Sequence, residues 1–132
     1  MNPEDSPFKS RGGLGRLHNA ARYALDGLRF AFQREAAFRQ ELALCVVLAP
    51  LAVWLPVTPI ERVALLGVLI AVLVVELINS AIEAAVDRVG LERHPLSKQA
   101  KDLASAAVML TLLLATLTWM LLLTPLVLAR FF

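Results

Sequence analysis

The chain has 132 residues, of which 58% are hydrophobic, and its mean hydropathy is +0.68. This length is typical of one domain, and the hydrophobic fraction exceeds the roughly half that is usual in soluble domains, so the composition indicates a membrane protein. The formal net charge of +2 does not indicate nucleic-acid binding, because the basic residues lie around apolar segments and form no single soluble patch. The single cysteine, Cys45, can form no disulfide within the chain and lacks the cysteine and histidine neighbours of a zinc site.

The first 15 residues combine three glycines and two prolines with charged side chains. Such a composition buries too little apolar surface to compensate for the entropy lost on ordering, which predicts a flexible segment over 1–15. The segment also lacks the compact apolar core and small-residue cleavage site of a signal peptide, so we expect the N-terminus to be retained.

From Arg16 to Arg34 the apolar residues recur at spacings of three and four, while the arginines fall mostly on the opposite side. The apolar positions are Leu17, Ala21, Ala24, Leu25, Leu28 and Phe32. This pattern predicts an amphipathic helix over 16–34 that lies on a membrane surface, with its arginines toward anionic headgroups.

Three apolar runs follow, at Leu42–Val57, Val63–Ala85 and Leu103–Ala129. A helix needs about 20 residues to cross the hydrocarbon core of a bilayer. The second and third runs have this length, whereas the first is short, so we expect its helix to begin within the preceding segment EAAFRQE. Residues 35–132 are therefore assigned to one transmembrane domain with three spans.

The basic residues are distributed unevenly between the two sides of these spans. Seven Lys or Arg residues precede the first span, one separates the first from the second, four separate the second from the third, and one follows the third. The positive-inside rule therefore predicts a cytoplasmic N-terminus, a cytoplasmic second loop and a C-terminus on the opposite side.

The second span carries a polar face formed by Glu76, Asn79, Ser80, Glu83 and Asp87. At about 100° per residue, these side chains fall within a sector of roughly 100° in the cytoplasmic half of the span. An ionisable side chain at the bilayer centre costs roughly 3 kcal/mol, so the face is expected to point into a helix bundle or toward other copies of the chain. We therefore predict a homo-oligomer.

The chemistry of this face remains open from the residues alone: a cation site, a proton relay and an acid–base pair all use such carboxylates. Glu83, nearer the cytoplasm than Glu76, is better placed for a hydrated metal ion, and Glu35 offers a second carboxylate. Two oxygen ligands together with substrate phosphates are a typical way to hold Mg²⁺. The structural alternative is that the polar groups only join helices, although such hydrogen bonds contribute only ~0.6 kcal/mol on average.

The loop after the second span, RVGLERHPLSKQAKD, combines turn residues with two lysines. Ser97 is predicted to be the N-cap of the third span. Lys98 and Lys101 either attract a polyphosphate toward the carboxylates or only set the membrane topology. The sequence pattern does not favour either interpretation. His94 has no second histidine or cysteine nearby and is interpreted as a loop histidine. No GxxxxGK[ST] phosphate loop is present in the sequence.

Three segments carry a resemblance to a known family: EAAFRQE at 35–41, VELINSAIEAAVDRV at 75–89 and HPLSKQAKDLASAAV at 94–108. They resemble the small integral-membrane diacylglycerol kinases of bacteria, which transfer the γ-phosphate of MgATP to diacylglycerol in the inner membrane. The motif ExxNSAIExxxD followed by KD is specific to that family, and the resemblance extends over about 16–123.

This resemblance implies an all-α membrane fold in which each chain contributes an amphipathic surface helix and three transmembrane helices to a homotrimeric bundle. It implies active sites at subunit contacts near the cytoplasmic side of the inner membrane, with the N-terminus in the cytoplasm and the C-terminus in the periplasm. The implied cofactors are Mg²⁺ and ATP as co-substrate, and the implied product is phosphatidic acid.

Site residues follow from the resemblance position by position. Glu76 matches the general base that takes the proton from the lipid hydroxyl, with Asn79 beside it, and Glu35 and Glu83 match the metal ligands, which also contact ATP. Further nucleotide contacts are implied for Arg16, Tyr23, Glu92, Arg93, His94, Lys101 and Asp102. Substrate contacts are assigned to Ala37, Gln40, Glu41, Trp54 and Ser105, while Asp87 matches a polar position near the site.

Two alternatives accompany this assignment. Undecaprenol kinases share the catalytic motif but phosphorylate an isoprenoid alcohol, although EAAFRQE and HPLSKQAKD look more like the diacylglycerol branch. A non-enzymatic proton or cation conduit would use the same carboxylates but would have no need of Lys101, Asp102 or the surface helix. Consumption of ATP coupled to lipid phosphorylation would distinguish a lipid kinase from a non-enzymatic conduit.

Overall fold

Four α-helices make up the computed structural model, which describes residues 13–90, 92 and 94–131 and, for residues 130 and 131, only the backbone. They are α1 (Gly13–Arg34), α2 (Ala36–Trp54), α3 (Pro59–Val89) and α4 (Pro95–Phe131). No strand occurs among these described residues. Three of the helices, α2, α3 and α4, are long and apolar enough to cross a membrane. The predicted all-α membrane class, with one N-terminal helix and three spans, is confirmed.

The chain divides after Glu35 into two compact units, and α1 belongs to the first. The helix starts at Gly13, three residues before the predicted start, and the remainder of the predicted flexible segment, 1–12, lies outside the described residues. Leu17 and Leu25 on its apolar stripe are exposed. A membrane surface would cover such a stripe, and this location of α1 stays a prediction.

The second unit begins with α2, whose first residue lies within the segment that the sequence indicated. The helix ends at Trp54, two residues before Pro56, because the residue preceding a proline is disfavoured in the helical conformation. The Arg62 side chain then covers the carbonyl groups left open at this helix end. Its Nε donates to Ala52 O at 3.2 Å and its Nη2 donates to Leu55 O at 3.1 Å.

The start of α3 lies four residues before the apolar run that predicted it. Thr58 Oγ1 accepts a hydrogen bond from Glu61 N at 3.3 Å, and Glu61 Oε2 accepts one from Thr58 N at 2.7 Å. This reciprocal capping box, followed by Pro59 at the first helical position, fixes the helix start independently of hydrophobicity.

The predicted N-cap at Ser97 is wrong, because α4 already begins at Pro95 and Ser97 lies in its first turn. The fixed φ of proline suits the first position of a helix, where no hydrogen bond from its nitrogen is needed. The side chain of His94 takes the capping role, since its Nδ1 accepts from Leu96 N at 3.2 Å.

In the second unit, α3 packs against both α2 and α4. The buried cluster contains one residue of α2, two of α3 and one of α4, namely Ala52, Leu65, Leu69 and Trp119. Cys45 packs against this cluster, and its thiol donates to Leu69 O at 3.6 Å. Only 11–22% of the most apolar window of each span is buried, so most of the apolar surface is left for lipid or other chains to cover.

Candidate active site

The polar face of α3 becomes progressively more exposed toward the C-terminal end of the helix. Glu76 is 4% exposed and is the buried charged side chain among the described residues. Asn79 and Glu83 are half-buried, and Asp87 is exposed. The face therefore extends from the buried carboxylate of Glu76, near the middle of α3, to the exposed carboxylate of Asp87, near the C-terminal end of the helix.

Asn79 connects the buried and the accessible parts of this face. Its Nδ2 donates to Glu83 Oε1 at 3.4 Å, one helical turn further on. Its Oδ1 is buried and has no hydrogen-bond partner among the described residues. An amide oxygen in this state is available to a hydroxyl donor that approaches the face, because a buried polar atom gains most from being hydrogen-bonded.

A second carboxylate reaches the same region from α2. The Glu41 carboxyl on α2 is repelled electrostatically by that of Glu76 on α3. Glu41 Oε2 is buried without a hydrogen-bond partner in the described part of the chain. Two neighbouring carboxylates repel when both are charged, so a proton or a cation placed between them stabilises the pair.

A solvent-accessible cavity of about 800 Å³ lies between the C-terminal end of α3 and the start of α4. Its charged and titratable lining residues are Asp87, Glu92, His94, Lys98, Lys101 and Asp102. Lys101 Nζ donates to Asp87 Oδ1 at 2.6 Å, and Lys98 Nζ pairs with Asp102 Oδ2. The cavity thus brings together four of the residues predicted to bind nucleotide, whereas Arg93 lies outside the described residues.

The other assigned residues are spread along the chain. Arg16, Tyr23 and Glu35 belong to the first unit, and their contacts stay predictions. On α2, Gln40 and the neighbouring Ala37 are exposed in the first turns, and Trp54 is 86% exposed at the opposite end. Fourteen residues of helix span about 21 Å, so one lipid contacts both ends only if it extends along the helix.

Ser105 is exposed on α4, less than one turn beyond Asp102. Its position on the helix that carries Lys101 and Asp102 follows from the sequence, and its contact with substrate stays a prediction. Within the described residues, no group of three or more His, Cys, Asp and Glu side chains lies close enough to hold a metal ion.

Two interactions of this region were not predicted from the sequence. The approach of Glu41 to Glu76 depends on the register between α2 and α3, which no single-helix pattern reveals. The Lys101–Asp87 pair crosses the loop between α3 and α4, with 14 residues separating the partners, so helical periodicity could not indicate it. The lysine and the aspartate were each singled out, but not as partners.

Known proteins resemble the chain over nearly its full length. A family model described as prokaryotic diacylglycerol kinase matches residues 22–123. The chain is 55% identical to a diacylglycerol kinase of Pseudomonas aeruginosa over 119 residues. The aligned region covers 90% of this chain and 95% of that relative. It is 48% identical over 111 residues to one of Escherichia coli K12, covering 84% of this chain and 91% of the relative. A diacylglycerol kinase of Helicobacter pylori is 44% identical over 119 residues, covering 90% and 92% of the two chains. The matched segment contains all of α2 and α3.

Proposed function

Because the chain belongs to the prokaryotic diacylglycerol kinase family, we propose that it transfers the γ-phosphate of ATP to the hydroxyl of diacylglycerol, giving phosphatidic acid and ADP. The structural observation that carries the proposal is the buried carboxylate of Glu76, which lies at 4% exposure within the membrane-spanning part of α3. Such a position is costly and is typically retained for function.

Glu76 acts as the general base in this reaction. It accepts the proton of the lipid hydroxyl while the hydroxyl oxygen forms a bond to the γ-phosphorus and the bond from that phosphorus to the β–γ bridging oxygen breaks. Asn79 lies one turn away, and its unpartnered Oδ1 is available to orient the hydroxyl. Phosphoryl transfer depends mainly on positioning and on stabilising charge, so these few groups suffice without the usual kinase motifs.

The nucleotide occupies the cavity between α3 and α4 in this proposal. Glu92, His94, Lys101 and Asp102 line it, and Lys101 supplies a cation for the phosphates. The further nucleotide ligands Arg16, Tyr23 and Arg93 are taken from the family resemblance. The support from the structure is that these four residues, which all lie within 92–102, line one cavity together with Asp87 of α3, and that the cavity is large enough for a nucleotide.

Glu83 is proposed as a protein ligand of Mg²⁺, and Glu35 is taken as a second ligand from the family resemblance alone. The half-buried Glu83 carboxylate suits this ion, since Mg²⁺ prefers oxygen ligands and is usually held by one or two carboxylates together with substrate phosphates. When bound, Mg²⁺ neutralises charge on the phosphates of ATP. The hydrogen bond from Asn79 Nδ2 orients the Glu83 carboxylate.

The lipid is proposed to contact Ala37, Gln40, Glu41, Trp54 and Ser105. Its acyl chains remain in the bilayer while the hydroxyl approaches Glu76. We place the enzyme in the bacterial inner membrane, with the N-terminus in the cytoplasm and the C-terminus in the periplasm, since this arrangement puts the nucleotide cavity where ATP is available.

A homotrimer is the proposed assembly. Glu41 Oε2, Asn79 Oδ1 and Trp119 Nε1 are buried atoms without hydrogen-bond partners in the described chain. Buried polar atoms are nearly always hydrogen-bonded in the complete state of a protein, and lipid tails cannot supply partners. In a homotrimer, neighbouring subunits and bound substrates can supply the hydrogen-bond partners that these three atoms lack.

The alternatives are less well supported. The relatives named above are diacylglycerol kinases, which favours diacylglycerol over undecaprenol as acceptor. Membership of a kinase family also disfavours a conduit that uses the same carboxylates without ATP.

The acceptor is tested by offering the purified protein MgATP with diacylglycerol, undecaprenol or ceramide in separate micelles. Labelled phosphate from the γ-position of ATP should appear in phosphatidic acid and in neither other lipid to a comparable extent. Preferential labelling of undecaprenol would reassign the acceptor, and an absence of lipid labelling would contradict the kinase proposal.

A further inference from the structure

Both lysines of the cavity between α3 and α4 are ion-paired with carboxylates of the same chain. The side chains of Lys101 and Asp87 are 37% and 49% exposed, whereas those of Lys98 and Asp102 are 77% and 61% exposed. The Lys101–Asp87 pair joins two helices, while the Lys98–Asp102 pair lies within one turn of α4. Lys101–Asp87 is therefore the better shielded pair and the one that connects the two walls of the cavity.

The position of Asp87 creates a conflict with nucleotide binding. A triphosphate that approaches Lys101 also approaches the Asp87 carboxylate, whose Oδ1 lies 2.6 Å from the lysine nitrogen. Like charges at such range repel, and a lysine ammonium is a single compact charge that cannot neutralise both anions. The contact with Asp87 and the contact with phosphate therefore compete for Lys101.

We propose that Asp87 is a positioning residue that holds Lys101 across the cavity in the nucleotide-free enzyme and releases it when the triphosphate enters. The inference rests on the proposed function, since it takes Lys101 as a phosphate ligand. Asp87 acts through the lysine and contacts neither the lipid nor the transferred phosphate. Because the pair stabilises only the nucleotide-free state, it lowers the apparent affinity for ATP.

The pairing has a consequence for the lysine in the absence of nucleotide. A long cationic side chain without a partner samples many rotamers and is hydrated, whereas the pair with Asp87 keeps the Lys101 ammonium at the α3 side of the cavity. The lysine is then already extended toward the polar face of α3 when ATP arrives. Asp87 thus lowers the affinity for ATP and, in return, fixes the position of the Lys101 side chain before ATP binds.

The pair itself is tested by the reactivity of Lys101 toward a water-soluble amine-acylating reagent, followed by mass spectrometry of the labelled peptide. Asp87→Asn should raise the acylation rate of Lys101 about two- to fivefold without nucleotide, the range expected for loss of a partly exposed ion pair. Lys98 provides the internal control, because its partner Asp102 is unchanged. Equal Lys101 rates in wild type and Asp87→Asn would overturn the proposal.

Addition of ATP separates this inference from the function on which it rests. ATP should protect Lys101 in both wild type and Asp87→Asn, since the phosphates replace the carboxylate as partner. If ATP protects Lys101 in neither protein while lipid phosphorylation proceeds, the role of Lys101 and hence of Asp87 is refuted, and the kinase proposal stands. If lipid phosphorylation is also absent, the proposed function fails as well.

Steady-state kinetics provide the second test. Asp87→Asn should lower KM for ATP about two- to fivefold and leave kcat within about twofold, because the ground state without nucleotide is what changes. Asp87→Glu retains a carboxylate and should keep KM near the wild-type value. Asp26→Asn, which removes a carboxylate paired with Arg29 at 4.0 Å on α1, is the matched control and should change neither constant. An unchanged or raised KM in Asp87→Asn would overturn the competition between Asp87 and phosphate.

Discussion

Three carboxylates of α3 share one helix face, and their burial differs with the work proposed for each. Glu76 is almost completely buried, Glu83 is half-buried and hydrogen-bonded to Asn79, and Asp87 is exposed and paired with Lys101. A base that takes a proton from a lipid hydroxyl must lie where water does not compete for it. Groups that meet a hydrated ion or a nucleotide must remain accessible from the aqueous side.

The first prediction concerns the two proposed metal ligands. Glu35→Gln and Glu83→Gln should each raise both the Mg²⁺ concentration and the ATP concentration required for half-maximal activity, because an amide is a weaker ligand than a carboxylate for a hard cation. A change of about tenfold or more in each requirement is expected, since loss of even an outer-shell partner typically costs about 10- to 100-fold in metal affinity. The measurement is activity as a function of Mg²⁺ and ATP varied together.

Glu61→Gln is the matched control for these variants. It makes the same chemical change at the far end of α3, and glutamine also satisfies a capping box. Saturation curves of Glu35→Gln and Glu83→Gln that coincide with those of the control would show that the shared-metal assignment is wrong.

At the scale of the helices, the connection between α2 and α3 is held by hydrogen bonds that hydropathy does not reveal. Arg62 donates to two carbonyl groups at the end of α2, and Thr58 with Glu61 closes the start of α3. Arg62, in the first turns of α3, thus lies at the end of the spans where the positive-inside rule expects few basic residues, and there it compensates the open end of α2.

The second prediction tests this contact. Arg62→Ala should reduce the stability of the folded protein in micelles by about 2 kcal/mol, since it removes a charged donor from two carbonyl groups. Arg62→Lys should have an intermediate effect, because an ammonium lacks the forked geometry of the guanidinium. Thermal unfolding of the micelle-solubilised protein is the measurement.

Arg29→Ala serves as its control, since Arg29 is exposed and only 4.0 Å from Asp26 in a pair within one helix. Such exposed pairs contribute at most about 0.5 kcal/mol. An Arg62→Ala variant as stable as Arg29→Ala would refute the role assigned to the arginine.

For the whole molecule, the sequence predicted the order and number of the helices because long apolar runs and a 3.6-residue period are local signals. It missed the start of α3 because Thr58 and Pro59 precede the apolar run, and it misplaced the start of α4 at Ser97 because serine outranks histidine as a cap. The proximity of Glu41 to Glu76 could not be derived, since it depends on packing between helices. Subunit contacts lie beyond what one chain's sequence pattern specifies.

The third prediction concerns assembly. A three-span chain has too few helices to surround the polar face of α3 and also complete a nucleotide site, so residues from a neighbouring subunit are expected to complete it. Co-expression of Glu76→Gln and Glu83→Gln chains, assayed at Mg²⁺ and ATP concentrations too low to support Glu83→Gln alone, should then restore part of the activity, if the two residues serve one site from different chains. The measurement is lipid kinase activity of the purified mixed oligomer.

The two residues lie on one helix, about two turns apart, so a site built from a single chain would give a different result. A mixed oligomer that remains fully inactive would contradict the shared arrangement and leave the kinase assignment untouched.

The most direct test of the whole account is the transfer of labelled γ-phosphate from ATP to diacylglycerol by Glu76→Gln, measured beside wild type and Glu61→Gln. The amide preserves the shape of residue 76 but cannot accept the hydroxyl proton, so kcat should fall by about 10²- to 10⁴-fold, as for loss of a general base. Nucleotide binding and oligomer size should be unchanged, and Glu61→Gln should retain wild-type transfer. Substantial phosphorylation of diacylglycerol by Glu76→Gln would contradict the role of the buried carboxylate as the catalytic base.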